Sequence, residues 1–206
     1  MYILSEARFE TCIQKSRFIA CASPIEDMDA ARMYILSLRR EFHDATHVCS
    51  AYICGQTMHA NDDGEPPQTA GRPILEQIQY AAIDKVCICV VRYFGGIQLG
   101  IGGLIRAYGN CAKNVLLRAK KARKITMRLY TVCYPYALSG AFAGWLRRHV
   151  VFLKETYGTD VSVLIAAEDP DIETQIMEQS KGQAVVTFIR EQARLVPIED
   201  PDPHLS

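Results

Sequence analysis

The segment from Lys85 to about Ala119 constrains the fold more than any other part of the chain. Its first ten residues, Lys85–Phe94 (KVCICVVRYF), are mostly apolar without alternation, which predicts a strand that is buried on both faces. A loop with five glycines in nine residues follows at Gly95–Gly103. Apolar residues then recur at helical spacing, which predicts a helix from about Gly103 to Ala119.

The same segment lies in a block that contains no acidic residue. Residues 85–154 carry 13 Lys and Arg and no Asp or Glu, whereas residues 1–84 have a net charge of −5 and residues 155–206 of −8. Such a block favours a polyanionic partner, because cations can contact phosphates and release counterions. The alternative is that its cations pair with acids of the two flanking segments after folding.

Composition is typical of a folded globular protein. With 206 residues, 49% of them hydrophobic, the chain can form one large domain or two small ones. No apolar run approaches the roughly 20 residues of a membrane span, and the N-terminus lacks a secretory pattern, so we expect a cytoplasmic protein without membrane contact. Eight cysteines without CxxC spacing predict free, mostly buried thiols rather than zinc ligands or disulfides.

The first half of the chain alternates strands and helices. The predicted elements are two strands within residues 7–22 around a turn at Gln14–Lys15, a helix from about Asp27 to Phe42, a strand over Val48–Cys54 and a helix that begins near Pro73. Between the last two lies an aperiodic stretch, residues 55–72 (GQTMHANDDGEPPQTAGR), which predicts a long loop.

Three acidic residues, Asp62, Asp63 and Glu65, form a turn within this loop. Asp-Asp-Gly is a turn signal and Pro-Pro stiffens the residues after it, so the acids could simply order the loop. They could also hold Mg²⁺ or share acid–base catalysis. No GxSxG or HExxH pattern supports catalysis. The role of the turn therefore stays open, and no catalytic residue, metal site or cofactor is assigned.

The glycine loop is a candidate anion site. Glycines allow a ligand to approach the backbone, and N–H groups at the start of a helix attract anions. The patterns GxxxxGK[ST] and GxGxxG are absent, so a tight strand-to-helix turn is the plainer alternative. The predicted anion- or nucleic-acid-binding residues are Arg72, Arg92, Gly95, Gly96, Gly100, Gly102, Gly103, Arg106, Lys120, Lys121, Arg123 and Lys124.

The second half predicts a separate domain, with the boundary at about residue 124. Ile125–Tyr134 alternates, with Ile125, Met127 and Leu129 expected inward and Tyr130 outward. The further predicted elements are a helix from Pro135, strands over Val150–Tyr157 and Asp160–Ala167, a helix from Asp169 to about Ser180 and a strand over Ala184–Arg190. This order, βαββαβ, is that of a ferredoxin-like split βαβ module.

Two motifs are specific in combination. The first is Asn61–Pro73 (NDDGEPPQTAGRP), and the second, about 18 residues further on, is Val90–Tyr108 (VVRYFGGIQLGIGGLIRAY). Together with Lys15–Ile19 (KSRFI) and His43–His47 (HDATH), they closely resemble the IMPACT/YigZ family. The resemblance covers residues 5–115 strongly, and the second half resembles the C-terminal domain of bacterial members in length and strand order.

The resemblance implies an α+β protein of two domains. Residues 1–124 would form a domain like the penultimate domain of elongation factor G, and residues 125–206 a ferredoxin-like domain. Eukaryotic relatives act in translational control by interfering with a stress kinase through an extra N-terminal domain. This chain begins at the shared domain, so the resemblance does not extend to that interaction.

Three functions remain open from the sequence. The first expectation is a translation-associated protein that binds RNA or the ribosome without catalysis, with Arg92 and Arg106 at the glycine loop contacting phosphate. The second is an enzyme for a small phosphorylated substrate, in which Asp62 or Asp63 would hold Mg²⁺ or act as base; enzymatic activity is thus undecided. The third is a module whose basic face binds an acidic protein. The oligomeric state cannot be predicted.

Overall fold

The computed structural model describes residues 1–198, which separate into two compact units. The first unit comprises Met1–Arg123 with residues 197–198, and the second comprises Lys124–Val196. Residues 199–206, the end of the predicted second domain, lie outside the described residues. No helix in the described part of the chain is long and apolar enough to cross a membrane.

The first unit is built around one antiparallel sheet. Its elements are β1 (Tyr2–Ile3), β2 (Ala7–Ile13), β3 (Ser16–Pro24), α1 (Met28–Glu41), β4 (His47–Cys54), β5 (Thr57–Asn61), α2 (Gly71–Tyr80), β6 (Val86–Tyr93), α3 (Gly100–Arg118) and the start of β7 (Lys121–Tyr134). The strand order in the sheet is β2-β3-β6-β4-β5. The two-residue turn between β2 and β3 has positive φ at Gln14 and Lys15, as a tight hairpin of matching twist requires.

Strand β6 lies at the centre of this sheet and is buried along its length. Its residues alternate between two apolar clusters, one under α2 and α3 and the other under α1. Helices therefore cover both faces of β6, which confirms the prediction from the uninterrupted apolar run. All eight cysteines are free and five of them are buried, as predicted.

The second unit has the element order predicted from the sequence. Its elements are the remainder of β7, a 3₁₀ turn (Tyr136–Leu138), α4 (Ala141–His149), β8 (Val151–Tyr157), β9 (Val161–Ala167), α5 (Ile172–Gln179) and β10 (Val185–Pro197). The sheet order is β10-β7-β9-β8. Residues of α4 and α5 share one apolar cluster with β7 and β9, so both helices pack on the same face of the sheet.

The aperiodic loop prediction for residues 55–72 was wrong in part. Residues Thr57–Asn61 form β5, which pairs with β4 from Ser50↔Asn61 to Cys54↔Thr57. All five β5 side chains are exposed, so the sequence of this strand lacks the apolar alternation that predicts a half-buried strand. The short strand β1, which pairs with the start of β7, was also missed.

Strand β7 differs from its prediction in both start and orientation. It begins at Lys121 rather than Ile125, so Lys121, Arg123 and Lys124 lie on this strand. Tyr130, expected outward, is buried against the helices, whereas Met127 and Leu129 form a small cluster on the other face. Both faces of β7 are apolar there, and alternation alone could not tell which one the helices cover.

Two later boundaries also moved. The residues after Pro135 form a 3₁₀ turn, and α4 begins only at Ala141. Strand β10 continues to Pro197, seven residues beyond the predicted end at Arg190. Its side chains are almost all exposed, so the sequence gives little sign of the extension.

Candidate functional site

Asp62 organises the chain that leads into α2. One carboxylate oxygen accepts hydrogen bonds from the backbone N–H of Ala70 (3.0 Å) and Gly71 (2.8 Å), and the other accepts from Gln68 N–H (2.8 Å). N–H groups at the start of a helix lack intrahelical partners, and a carboxylate there also complements the helix dipole. Asp62 thus caps the loop and α2, and its oxygens are engaged within the protein.

Asp63 ties the turn to the sheet and to α1. Its carboxylate accepts from Val48 N–H (2.6 Å) and from the Arg39 guanidinium (2.5 Å). Its own backbone N–H donates to Asn61 Oδ1, and its carbonyl lies 2.8 Å from Nδ1 of His47. Asp63 adopts a positive φ of 44°, a conformation that Asp tolerates better than most residues. The second acid therefore also has protein partners.

Glu65 is the buried member of the turn and forms an ion pair with Arg92. Its Oε1 accepts from Arg92 Nη1 at 2.7 Å and from the Tyr108 hydroxyl at 2.6 Å. The side chains of Glu65 and Arg92 are only 3% and 6% exposed. The imidazole Nε2 of His47 lies 4.0 Å from the other carboxylate oxygen. The acidic turn, β6 and α3 are joined by this one charged contact.

Arg92 is enclosed by aromatic rings and by the β2–β3 hairpin. Its guanidinium carbon lies 5.6 Å from the ring centre of Phe18 and 5.4 Å from that of Phe94, which favours a cation between two π faces. Its Nη2 donates to Ser16 Oγ at 3.4 Å, and that hydroxyl also accepts from Gly95 N–H at 3.2 Å. In the described conformation Arg92 supports the glycine loop from inside, and it offers no exposed face to a ligand.

Burial sets the acidity of the groups around this ion pair. Desolvation raises the pKa of the Tyr108 phenol, first among several causes, and hydrogen bonding to Glu65 adds to the effect. The same cause raises the pKa of Cys49 to about 12. The Cys49 thiol donates to the carbonyl oxygen of Asp62 at 3.0 Å. Both groups are therefore neutral at physiological pH, and neither is an activated nucleophile.

The glycines of the loop differ in why the structure favours glycine at each position. A Cβ on Gly95 would lie 2.1 Å from the backbone carbonyl of Lys15, so this position requires glycine for close approach. Gly96 and Gly100 have positive φ, and a Cβ on either would meet no neighbour. Gly102 and Gly103 lie in the first turn of α3, whose N-terminus has no side-chain cap. The loop thus packs on one side and is open on the other.

A groove of about 380 Å³ separates the first turns of α2 and α3. It is lined by Pro67, Gln68, Thr69, Arg72, Pro73, Glu76, Ile101 and Ile105. Arg72 at its rim donates to Glu76 (3.0 Å) and Gln68 (3.1 Å). Arg106, on the next turn of α3, is exposed and has no ion pair within residues 1–198. Of these two arginines, Arg72 is therefore paired and Arg106 is not, within the described residues.

The remaining predicted cations follow α3 and lie at or just before the start of β7, and Lys113 on α3 is a further cation that was not predicted. Lys113 lies two helical turns beyond Arg106 and hence on the same exposed face of α3. Lys120, Arg123 and Lys124 are exposed, whereas Lys121 is half-buried. Within the described residues, the side chains of Lys113, Lys120 and Lys124 form no ion pair. These three lysines keep their charge after folding, unlike Arg92, Arg128 and Arg147, which pair with acids outside the block.

Sequence reasoning missed several parts of the arrangement. Ser16, His47 and Arg39 contact the acidic turn or Arg92, yet none of them stands near these residues in the sequence. Tyr108 could have been found, because a tyrosine on the apolar face of a helix needs a partner for its hydroxyl. Tyr108, Tyr130 and Tyr134 are at most 3% exposed, so the rings of these three tyrosines are not available to stack on the bases of a nucleic acid.

Comparisons with known proteins agree with the motifs. Residues 14–116 match the family model described as the Impact N-terminal domain, a span that includes the acidic turn and the glycine loop. The chain is 37% identical over 173 residues to "IMPACT family member YvyE" of Bacillus subtilis strain 168, covering 82% of this chain and 76% of that protein.

A second relative and a solved structure are also similar to this chain. "IMPACT family member YigZ" of Escherichia coli K12 is 39% identical over 134 residues, covering 62% of this chain and 66% of that protein. A solved structure, described only as a crystal structure of an hypothetical protein, is similar over 92% of this chain and 96% of its own, with 29% identity and a TM-score of 0.60. The similarity in structure therefore extends over both units.

Proposed function

This chain belongs to the IMPACT family, and from that premise we propose that it is a cytoplasmic, translation-associated protein that binds RNA or the ribosome. The observation that carries the proposal is the set of exposed cations formed by Arg106 and Lys113 on α3 and by Lys120 and Lys124 after it. Residues 85–154 supply no carboxylate to neutralise it. Cations that stay solvated after folding are the groups that contact phosphates.

The residues of the candidate site take two roles in this proposal. Arg106, Lys113, Lys120, Lys121, Arg123 and Lys124 contact the phosphate backbone, and the N–H groups at the open start of α3 add a further anion contact. Arg72 lies at the rim of the neighbouring groove, where its charge is partly offset by Glu76. Arg92 takes an internal role instead, because a phosphate contact would require its ion pair with Glu65 to break.

The domain assignment forms part of the same proposal. We place the division at about residue 124, with a fold like the penultimate domain of elongation factor G before it. The second unit is proposed to be ferredoxin-like, since its element order is βαββαβ and its strand order is β10-β7-β9-β8. Two such domains in succession are the arrangement that the family resemblance implies.

An enzyme for a small phosphorylated substrate is the second candidate. It is favoured by the contact chain from Glu65 through Arg92 and Ser16 to Gly95, which places the acidic turn beside the glycine loop. Against it, every acid of the turn already accepts hydrogen bonds from protein donors. A Mg²⁺ ion would compete with those donors for the carboxylates. Within the described residues, no group of three or more His, Cys, Asp or Glu side chains is placed to hold a metal ion.

RNA and ribosome binding of the purified protein tests the proposal. We expect micromolar or tighter binding at about 50 mM salt, and binding about fifty-fold weaker at about 200 mM if four phosphates are contacted on a single strand. The variant Lys120→Gln/Lys121→Gln/Arg123→Gln/Lys124→Gln should lose this binding. Absence of binding at both salt concentrations would overturn the proposal. A screen of phosphorylated metabolites against the glycine loop would then test the enzyme.

A further inference from the structure

Strand β2 forms one edge of the sheet in the first unit. Within residues 1–198 it pairs only with β3, over the full register from Ala7↔Ala22 to Ile13↔Ser16. It is seven residues long and contains no proline, which often protects an edge. Its two charged residues, Arg8 and Glu10, form ion pairs with Glu41 and Arg17. An edge of this kind is able to accept a further strand.

The register identifies which backbone groups of β2 are unpaired. Ile13 and Ser16 flank the two-residue turn, so this pair exchanges both of its hydrogen bonds across the hairpin. Every second residue back along the strand does the same with β3. The N–H and C=O groups of Arg8, Glu10 and Cys12 therefore point away from β3, toward the open edge.

A groove of about 450 Å³ runs between this edge strand and α3. One wall carries the inward side chains of β2, and the other carries one face of the helix; the lining residues are Phe9, Thr11, Ile13, Asn110, Cys111, Lys113, Asn114 and Leu117. An edge strand that faces a helix across a groove is the geometry in which extended peptides add to a sheet, with alternate side chains entering the groove.

The lining of the groove specifies the charge of its occupant. Lys113 stands on the helix wall, and the Arg118 guanidinium lies 4.8 Å from the ring centre of Phe9. No carboxylate lines the groove among the described residues. The side-chain amide of Asn114 donates to the Asn110 carbonyl, so its Oδ1 is not engaged by that bond. Apolar, amide and cationic groups together fit a strand with apolar and acidic side chains.

We propose that the groove between β2 and α3 binds an extended acidic segment of another protein by strand addition. The outward backbone groups of Arg8, Glu10 and Cys12 pair with the segment. Its apolar side chains pack on Phe9, Ile13 and Leu117, and a carboxylate contacts Lys113. The site shares Lys113 with the proposed RNA surface but involves none of Lys120–Lys124. An occupant there would cover the open edge of the sheet in the first unit.

Isotope-labelled protein titrated with defined peptides tests this proposal by amide chemical shifts. The probe is a short blocked peptide that alternates valine with aspartate and glutamate. One control peptide carries lysine in place of the acids, and a second has the same acids with prolines that prevent strand pairing. We expect saturable shifts of Arg8, Glu10 and Cys12 and of the facing residues of α3, with the acidic strand-forming peptide alone.

Matched proline variants separate strand addition from general attraction of charges. Glu10→Pro removes an outward N–H while leaving the hydrogen bonds to β3 intact, and should abolish the shifts. Met58→Pro makes the equivalent change on β5, at the opposite edge of the sheet, and should leave them unchanged. Lys113→Glu should weaken binding about tenfold without altering the hairpin, so a fold defect in the proline variant would not decide the test.

Three results would overturn the proposal. The first is an absence of saturable shifts along β2 with the acidic peptide. The second is equal binding of the lysine or proline peptide, which would show that backbone pairing and charge do not matter. The third is dimerisation of the free protein through β2, measured by analytical ultracentrifugation and abolished by Glu10→Pro. A second copy, rather than an acidic segment, would then be the occupant.

Discussion

Arg92 and Lys120 come from the same acid-free block, yet the fold uses their charges in opposite ways. Arg92 is buried, lies between two aromatic rings and pairs with Glu65. Lys120 is exposed and has no ion pair among the described residues. A one-sided charge pattern in the sequence therefore does not by itself indicate a binding surface. Burial decides which cations support the fold and which are left for a partner.

The largest loss of stability is expected when the buried ion pair between Glu65 and Arg92 is broken. Glu65→Gln keeps the shape of the side chain and removes its charge, which leaves Arg92 buried without a counterion. We expect the free energy of unfolding to fall by about 3–5 kcal/mol, measured by urea denaturation. The control is Glu76→Gln, which breaks the exposed pair with Arg72 and should cost less than about 1 kcal/mol. Equal losses in both variants would contradict the distinction.

Replacing two glycines of the same loop by alanine should change the stability of the protein in opposite directions. Gly95→Ala places a methyl group against the Lys15 backbone and should destabilise the protein by about 1–3 kcal/mol in thermal or urea unfolding. Gly102→Ala lies in the first turn of α3, where its Cβ meets only the end of the Arg106 side chain at 3.4 Å. This change should stabilise the helix by up to about 1 kcal/mol. Destabilisation by both changes would show that the open side of the loop is also packed.

Asp62→Ala tests whether the acidic turn stabilises the fold. The change leaves the N–H groups of Gln68, Ala70 and Gly71 without their acceptor, and we expect a loss of about 2 kcal/mol in stability. Asp29→Ala is the matched control, because Asp29 is exposed and, within residues 1–198, its side chain pairs with Arg32 alone. The reactivity of the buried Cys49 thiol offers a second readout, which should rise in Asp62→Ala alone. An unchanged stability would mean that the acids of the turn are held for a ligand.

The smallest effect concerns an exposed ion pair and its dependence on pH. Hydrogen bonding to Arg8 holds the pKa of Glu41 below its ordinary value of 4.5. A carboxylate with a lowered pKa stabilises the folded state above its ordinary pKa, and this contribution disappears as the pH falls through the folded-state value. Both side chains are over 40% exposed, so the contribution is a few tenths of a kcal/mol. The stability difference between wild type and Glu41→Gln should vanish between pH 7 and pH 3, and a difference that grows on acidification would refute this sign.

Much of the first unit could be predicted from its sequence because local patterns determine it. The buried run at β6 and the two-residue turn at Gln14–Lys15 both gave the right elements. Strand β5 could not be found, since its order comes from pairing with β4 rather than from burial of its side chains. The orientation of β7 was predicted wrongly for a related reason, because both of its faces carry apolar residues.

The candidate site was harder to predict than the fold around it. The motifs located the acidic turn and the glycine loop, but they did not identify the partner of each charge. Glu65, Arg92 and Tyr108 are separated by 16 to 43 residues and meet only through the packing of α3 on the sheet. The sequence allowed Arg92 to bind either a phosphate or an acid of the turn, and only the tertiary arrangement shows the second.

The salt dependence of RNA binding tests directly whether the exposed cations contact phosphates. The slope of log K against log salt would be compared for wild type, Lys120→Gln/Lys124→Gln and Arg32→Gln/Arg40→Gln. The last pair removes the same charge from α1, on the other face of the sheet from α3. If the exposed cations contact phosphates, the slope should become shallower by about 1.4 in the first variant and stay unchanged in the second. Equal slopes in all three proteins would contradict the account.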